Sequence, residues 1–275
     1  MKYLSEKDIV EKILKRELFE ATIESGAFTL KIDNYEPSLS VAIHNGGEFS
    51  DVLSEQCLLS KEERYYEEDP YTGSFIEKQG ITVTVHDSRY AYDLNRRPDE
   101  CIYKSAWGKE VWRSPLDGAT IAVLREKHAC FHRVITCILD ALTEDFGQCL
   151  VYDVHSYNYR RYERTDLPLF NLGTVTVTKN SWRPVILNML AELQKIQLVE
   201  IPTTAVENDI FSGKGYLAVS VHKRFENVLV LAIEVKKVFM DERTGEADNE
   251  VLSQLQQQFN ATLLAVTKSY IAETG

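Results

Sequence analysis

The stretch Val228-Leu-Val-Leu-Ala-Ile-Glu-Val235 constrains the fold more than any other part of the chain. It is far too short to span a bilayer, and a continuous apolar run of this length reads as a strand covered on both faces. Such a strand requires a sheet buried between two other layers. Long amphipathic stretches supply them. From Ala119 to Phe146, Leu124, His128, Phe131, Ile135, Ile138 and Leu142 share one helical face, and Gly147 closes the helix. Pro184 opens a helix through Leu187, Leu190, Leu193 and Ile196, and Asp248 caps one through Leu252, Leu255, Phe259, Leu263 and Val266. Ile9, Ile13, Leu14, Leu18, Phe19 and Ile23, between Ser5 and Gly26, predict a first helix over that whole stretch.

Alternation predicts strands at Phe28–Ile32, Leu39–Ile43, Ile81–Val85, Cys149–Val154 and around Val175 and Val177. Ser60–Tyr66 and Ser74–Gln79 read as short helices. Strands interleaved with long helices predict an α/β fold, a three-layer sandwich with a twisted mixed central sheet and helices on both faces. No repeat or flexible linker divides the 275 residues, so one domain over 1–275 is expected.

Forty-two acidic against 31 basic side chains give a formal charge of −11, which repels phosphate backbones and argues against a nucleic-acid partner. Charges in the first twenty residues, and no long apolar run, predict a cytoplasmic chain without a membrane partner. Cys57, Cys101, Cys130, Cys137 and Cys149 lack a C-x-x-C pair and read as reduced thiols.

In open α/β sheets ligands sit beyond the carboxyl ends of the strands. The residues expected there are His44, His86 to Arg89, His155 and Glu234. Two imidazoles at strand ends plus one carboxylate form the ligand set of a catalytic zinc, with the fourth position left for water. The acidic knot Glu67-Glu-Asp69 is a source for that carboxylate. The plainer alternative is that each histidine simply closes its strand through a hydrogen bond. Glu234 inside an apolar strand is costly unless paired, metal-bound or protonated, and burial would raise its pKa toward that of a general base. A structural ion pair with Lys236 or Lys237 is the competing reading.

Arg89, Asn95 and Arg96 offer forked and amide groups suited to a carboxylate, or else pair with the many surface acids. Arg160, Arg161 and Arg164, just after His155, suit an acidic ligand or pair with Glu163 and Asp166. His128 and His132 have the spacing of a helical zinc pair but lack the glutamate of H-E-x-x-H, so His128 is read as helix packing and His132 as a flanking polar residue, neither a ligand. Trp107 and Trp112 lie in a stretch, Lys104 to Asp117, that either covers the site or packs beside it.

Taken together, His44-Asn-Gly, Glu68-Asp-Pro-Tyr-Thr72, Ser88-Arg with Asp93-Leu-Asn-Arg96, Asp153-Val-His-Ser-Tyr-Asn158 and Ile233-Glu234 resemble the N-formylglutamate amidohydrolase family. The resemblance runs from Val41 to Met240 and implies a zinc-carboxypeptidase-like fold. It further implies a Zn2+-dependent amidohydrolase acting on a small N-acyl amino acid with a free carboxylate. In that resemblance His44 and His155 match zinc ligands, Arg89 an arginine that polarises the scissile carbonyl, and Glu234 the catalytic glutamate. Asn95 and Arg96 match the pair that holds the substrate carboxylate, and Asn208 belongs to a segment near the site. Carboxypeptidases take their third ligand three residues after the first histidine, where this chain has Gly47. The resemblance favours Asp69 instead, then Glu68, with Glu48 and Glu67 as further candidates. Arg161 is assigned to the substrate by its location. The rival expectations are a metallocarboxypeptidase that trims peptide C-termini and a non-catalytic binding protein on the same fold. The sequence leaves the oligomeric state open.

Overall fold

The computed structural model describes residues 2–274. In chain order its first half comprises β1 (Tyr3–Leu4), α1 (Glu6–Leu14), β2 (Phe19–Ile23), β3 (Phe28–Ile32), β4 (Ser38–Ala42), α2 (Asp51–Gln56), α3 (Lys61–Glu67), α4 (Thr72–Ile76) and β5 (Ile81–Val85). A small hairpin of β6 (Ser105–Ala106) and β7 (Lys109–Glu110) precedes α5 (Gly118–Phe146). There follow β8 (Cys149–Tyr157), β9 (Phe170–Gly173), α6 (Arg183–Leu193), β10 (Ala205–Glu207), α7 (Tyr216–Arg224), β11 (Val228–Lys236) and α8 (Asn249–Thr274).

Nine strands form one sheet in the order β1-β2-β3-β5-β4-β8-β11-β9-β10. Its centre is parallel, with β4 beside β5 and β8, and β8 beside β11. Antiparallel pairs flank that centre, β3 with β5 and β9 with β11, so the sheet is mixed as expected. One face carries α1, α5 and α7 over Val41, Val83, Val151 and Val230. The other carries α4, α6 and α8 over Ala42, Leu150, Tyr152, Leu231 and Ile233. This is the three-layer α/β architecture.

Strand alternation decides where the charged residues go. Val228 and Val230 face the α5 side, so Glu234 does too; Cys149 and Val151 face it, and so do Asp153 and His155. The parallel register sets Glu234 opposite His155, while β9 sets Asn171 on its other side. Each of these buried or half-buried polar groups therefore has polar neighbours on the same face.

Local chemistry fixes the helix ends. The Ser5 hydroxyl accepts from the Asp8 amide, Ser60 and Glu63 form a capping box on α3, and Asp117 accepts from the Ala119 and Thr120 amides. Gly147, with φ +75°, stops α5 in a conformation that a side chain would strain.

The structure corrects three expectations. The first helix stops at Leu14, and Phe19–Ile23 is instead a strand. Arg16 adopts a left-handed φ of 56°, which breaks the helix, and Phe19 to Thr22 then pairs antiparallel with Thr29 to Ile32. Leu14 and Leu18, read as one apolar stripe, are both exposed. Val175 and Val177 lie beyond β9, with Val175 exposed; the strand there is Phe170–Gly173. β8 runs on to Tyr157, so His155 lies within the strand rather than after it.

Candidate active site

His44 lies two residues past β4 and is 2% exposed. The turn after it holds Gly46 against the His86 carbonyl, where an added Cβ would come within 2.0 Å of the oxygen, so only glycine fits. His155 comes from β8, and Asp69 from the segment just after α3. Their donor atoms meet. The two Nδ1 atoms lie 3.1 Å apart, and Asp69 Oδ2 is 3.3 Å from His155 Nδ1 and 3.4 Å from His44 Nδ1. Among the described residues this is the cluster of His, Cys, Asp and Glu donors close enough to share a metal ion.

The far side of each ring faces another carboxylate. His44 Nε2 donates to Asp93 Oδ1 at 2.8 Å, and His155 Nε2 lies 3.0 Å from Asp153 Oδ1. The His155 contact lacks hydrogen-bond alignment, but a proton held on Nε2 of His44 by Asp93 leaves its Nδ1 lone pair directed at the shared point, which is how metal-binding imidazoles are oriented. The donor chemistry thus fits a divalent cation.

The electrostatics agree. Burial raises the Asp69 carboxyl, but hydrogen bonds with His155 and His44 and the nearby Lys237 charge outweigh it and hold its pKa well below the usual range. Burial opposes charge on His155 as well, yet Asp153, Asp69 and Glu234 push its pKa well above that of free imidazole. The surplus of carboxylate around two imidazoles attracts positive charge to this point. Glu234, half-buried at the cavity wall, is pushed up to about 8, chiefly by desolvation.

A cavity of about 300 Å³ opens over the cluster. Its wall includes Arg89, Asn95, Arg96, Arg161 and Glu234 beside the three donors. Arg89 Nη2 donates to Asp93 Oδ2 at 2.8 Å and Nη1 to the Glu67 carbonyl at 3.1 Å, while its buried Nε has no acceptor among the described residues. The Asn95 carbonyl accepts from the Tyr216 amide, and His128 and His132 donate Nε2–H to the carbonyls of Arg96 and Leu94. The two helical histidines therefore pin the loop that carries Asn95 and Arg96, and they stand apart from the metal-type cluster. Trp107, 44% exposed, lines the cavity mouth with the Arg89 guanidinium 5.1 Å from its ring centre.

Several expected residues lie elsewhere. Glu68 is buried, but its carboxylate accepts from the Ser88 hydroxyl and sits against Gly47, away from the donor cluster. Glu48 is exposed, and Glu67, although it lines the cavity, is paired with Arg161 rather than joining the donor cluster. Asn208 does not line the cavity: its amide is consumed by Thr174, accepting from the Thr174 amide and donating to its hydroxyl. Phe211, from the same segment, lines the wall instead.

Lys237 does not pair with Glu234. It is 1% exposed and donates to the Glu68 and Tyr66 carbonyls, with Asp69 Oδ1 3.9 Å away. It thereby props the loop that delivers Asp69. Sequence reasoning also passed over the roles of Asp93, Asp153 and Asn171. Asn171 Oδ1 accepts from the amides of Asp209, Ile210 and Phe211, shaping the wall next to Glu234. A buried aspartate two residues before His155 on the same strand face was the available clue for Asp153.

A parallel-centred sheet with a two-histidine, one-carboxylate cluster near its strand ends makes a candidate metal site. Residues 36–240 match the N-formylglutamate amidohydrolase family model, and the chain belongs to that family. It is 33% identical over 122 residues to an N-formylglutamate deformylase of Pseudomonas aeruginosa, a match covering 38% of this chain and 46% of that relative. The chain thus matches about half the length of that curated relative. An N-formylglutamate amidohydrolase structure from Ralstonia eutropha superposes with a TM-score of 0.72 at 19% identity, over 88% of this chain and 97% of that one. A gene product of Agrobacterium tumefaciens gives 0.64 at 17% identity, over 87% and 96%. At these identities the two structures establish the fold.

Proposed function

We propose that the chain is a single-domain, zinc-dependent amidohydrolase that cleaves the amide bond of a small N-acyl amino acid with a free carboxylate, of the N-formylglutamate kind. The observation that carries this reading is the convergence of His44 Nδ1, His155 Nδ1 and Asp69 Oδ2, all within 3.4 Å, with Glu234 in register beside His155. His44, Asp69 and His155 would hold the cation. When bound, zinc supplies Lewis acidity and makes a water easier to deprotonate.

Glu234 would take a proton from the attacking water as its oxygen adds to the amide carbonyl, and would return that proton to the nitrogen as the C–N bond breaks. A pKa raised by burial suits a carboxylate to both roles near neutral pH. Arg89 is held rigid by Asp93 and keeps its Nε–H for the negative charge that develops on the carbonyl oxygen. Arg96, which has no ionic partner among the described residues, binds the substrate carboxylate together with Asn95. A cavity of about 300 Å³ is at the small end of ligand sites and favours an N-acyl amino acid over a peptide.

The test is Glu234→Gln in zinc-loaded protein. Metal content is expected to stay constant while turnover of N-formyl amino acids falls by about 10²–10⁴-fold. Undiminished turnover overturns the role of Glu234, and no hydrolysis by the wild type across formyl, acyl and peptide substrates overturns the enzyme reading.

A further inference from the structure

Asn158 directly follows β8, lines the cavity and is 5% exposed. Its Nδ2 donates to the Tyr66 carbonyl at 2.5 Å, a carbonyl that also accepts from Lys237, and this fixes which way round the amide sits. Oδ1 is then what the side chain has left to offer, and it is buried with no donor among the described residues. The chain just beyond is clamped as well, since the Tyr159 amide donates to Glu242, itself 1% exposed. The acceptor is thus held in place by the protein alone.

The other carboxylates and amides of the cavity wall are committed. Asp69 faces both imidazoles and accepts from the Ser156 hydroxyl, and Glu67 pairs with Arg161. Asn95 Oδ1 accepts from the Leu217 amide at 3.3 Å, which leaves its NH2 for a carboxylate. Glu234 is the proton carrier in the reading above. A buried acceptor without a donor is costly, and Asn158 Oδ1 is the one of this set in that state.

An N-acyl amino acid such as N-formylglutamate carries several acceptors and one strong donor. Its carboxylates and its carbonyl oxygen only accept, so the N–H of the amide to be cleaved is what it has to give. Resting on the amidohydrolase reading above, we infer that Asn158 Oδ1 accepts the N–H of the scissile amide. A ligand that lacks this N–H leaves the oxygen buried and unpaired, so the contact separates amides from esters. It also serves the chemistry. As the carbonyl carbon becomes tetrahedral, the nitrogen recovers its lone pair. With the N–H turned to Asn158, that lone pair points away from Asn158 and is free for the proton that Glu234 returns.

Two matched compounds isolate the contact: N-formylglutamate and O-formyl-2-hydroxyglutarate, the ester with oxygen in place of N–H. In calorimetric titrations of zinc-loaded Glu234→Gln protein, the amide is expected to bind about tenfold or more tightly than the ester. Adding Asn158→Ala should remove most of that difference, with Asn158→Leu as the variant that keeps the volume and still lacks the acceptor. In turnover by zinc-loaded enzyme with Glu234 intact, either substitution should lower kcat/KM for the amide about tenfold more than for the ester. Damage to the fold or to the metal site would lower both alike. An ester that binds as tightly as the amide, a ratio unmoved by both substitutions, or binding of neither compound overturns the inference. Hydrolysis of N-formylglutamate with an unmoved ratio overturns it while the amidohydrolase reading stands. A preference for the amide that depends on Asn158, without hydrolysis of any formyl compound by the wild type, sustains the inference and removes that reading instead.

Discussion

The chain contains two pairs of close histidines that differ in almost every respect except distance. The rings of His44 and His155 are 4.9 Å apart, and those of His128 and His132 are 4.6 Å apart. In the first pair the second nitrogens meet Asp93 and Asp153, a third carboxylate stands between the rings, and the surroundings favour positive charge on His155. In the second pair Nε2 meets the backbone carbonyls of Arg96 and Leu94, and burial drives both pKa values down, that of His132 to about 3. Proximity of imidazoles therefore says little about metal binding. The groups on their far sides decide whether the pair collects a cation or stays neutral and braces a loop.

Four experiments break or sharpen this contrast. The largest effect is expected from His155→Ala, which should abolish stoichiometric zinc in metal analysis, whereas His128→Leu should retain it. Equal zinc content in the two variants would erase the distinction. Asp153→Asn is expected next, weakening zinc affinity by about 10–100-fold in competition with a chelator while leaving the far-UV spectrum unchanged. An unaltered affinity would remove Asp153 as an orienting group.

The third effect belongs to the loop. His128→Leu should raise KM about two- to tenfold through a lost hydrogen bond to the Arg96 carbonyl, with zinc content constant. A fall in kcat at unchanged KM would contradict a loop-bracing role. The smallest is a pH effect on stability. His132 is depressed in the folded state relative to a free value of about 6.5, so its contribution is fully present above that pH. It drains away as pH falls, because the unfolded chain binds the proton first. Tm should therefore decline below about pH 6.5, and His132→Asn should flatten that decline; a parallel curve for the variant would refute it.

How much of this was readable in the residues follows from the range of the forces involved. The apolar run of β11 and the stripe of α5 are dictated locally, and both formed within a residue or two of expectation. The first helix was overextended because Leu14, Leu18 and Phe19 continue its spacing. Pairing of Phe19–Thr22 with β3, a tertiary effect, overrides that pattern. β10, three residues long, and α7 gave too weak a signal to predict.

At the site, glycines, strand ends and motif order brought out His44, Asp69, His155 and Glu234. The anchoring of His44 by Asp93 spans 49 residues of sequence and has no periodic trace. Lys237 showed itself as a charge near Glu234, but its actual partners are carbonyls about 170 residues away, Tyr66 at a separation of 171 and Glu68 at 169.

Asp93 is wholly enclosed and takes four donors on two oxygens: the His44 ring and the Asn95 amide on one, the Arg89 guanidinium and the Tyr103 phenol on the other. The half of the pocket proposed to hold an ion and the half proposed to hold an organic acid are thus geared to a single tooth. An asparagine there would offer one oxygen where two are used, slackening both halves together. At the rim, by contrast, the Glu67–Arg161 ion pair makes no hydrogen bond to either imidazole among the described residues.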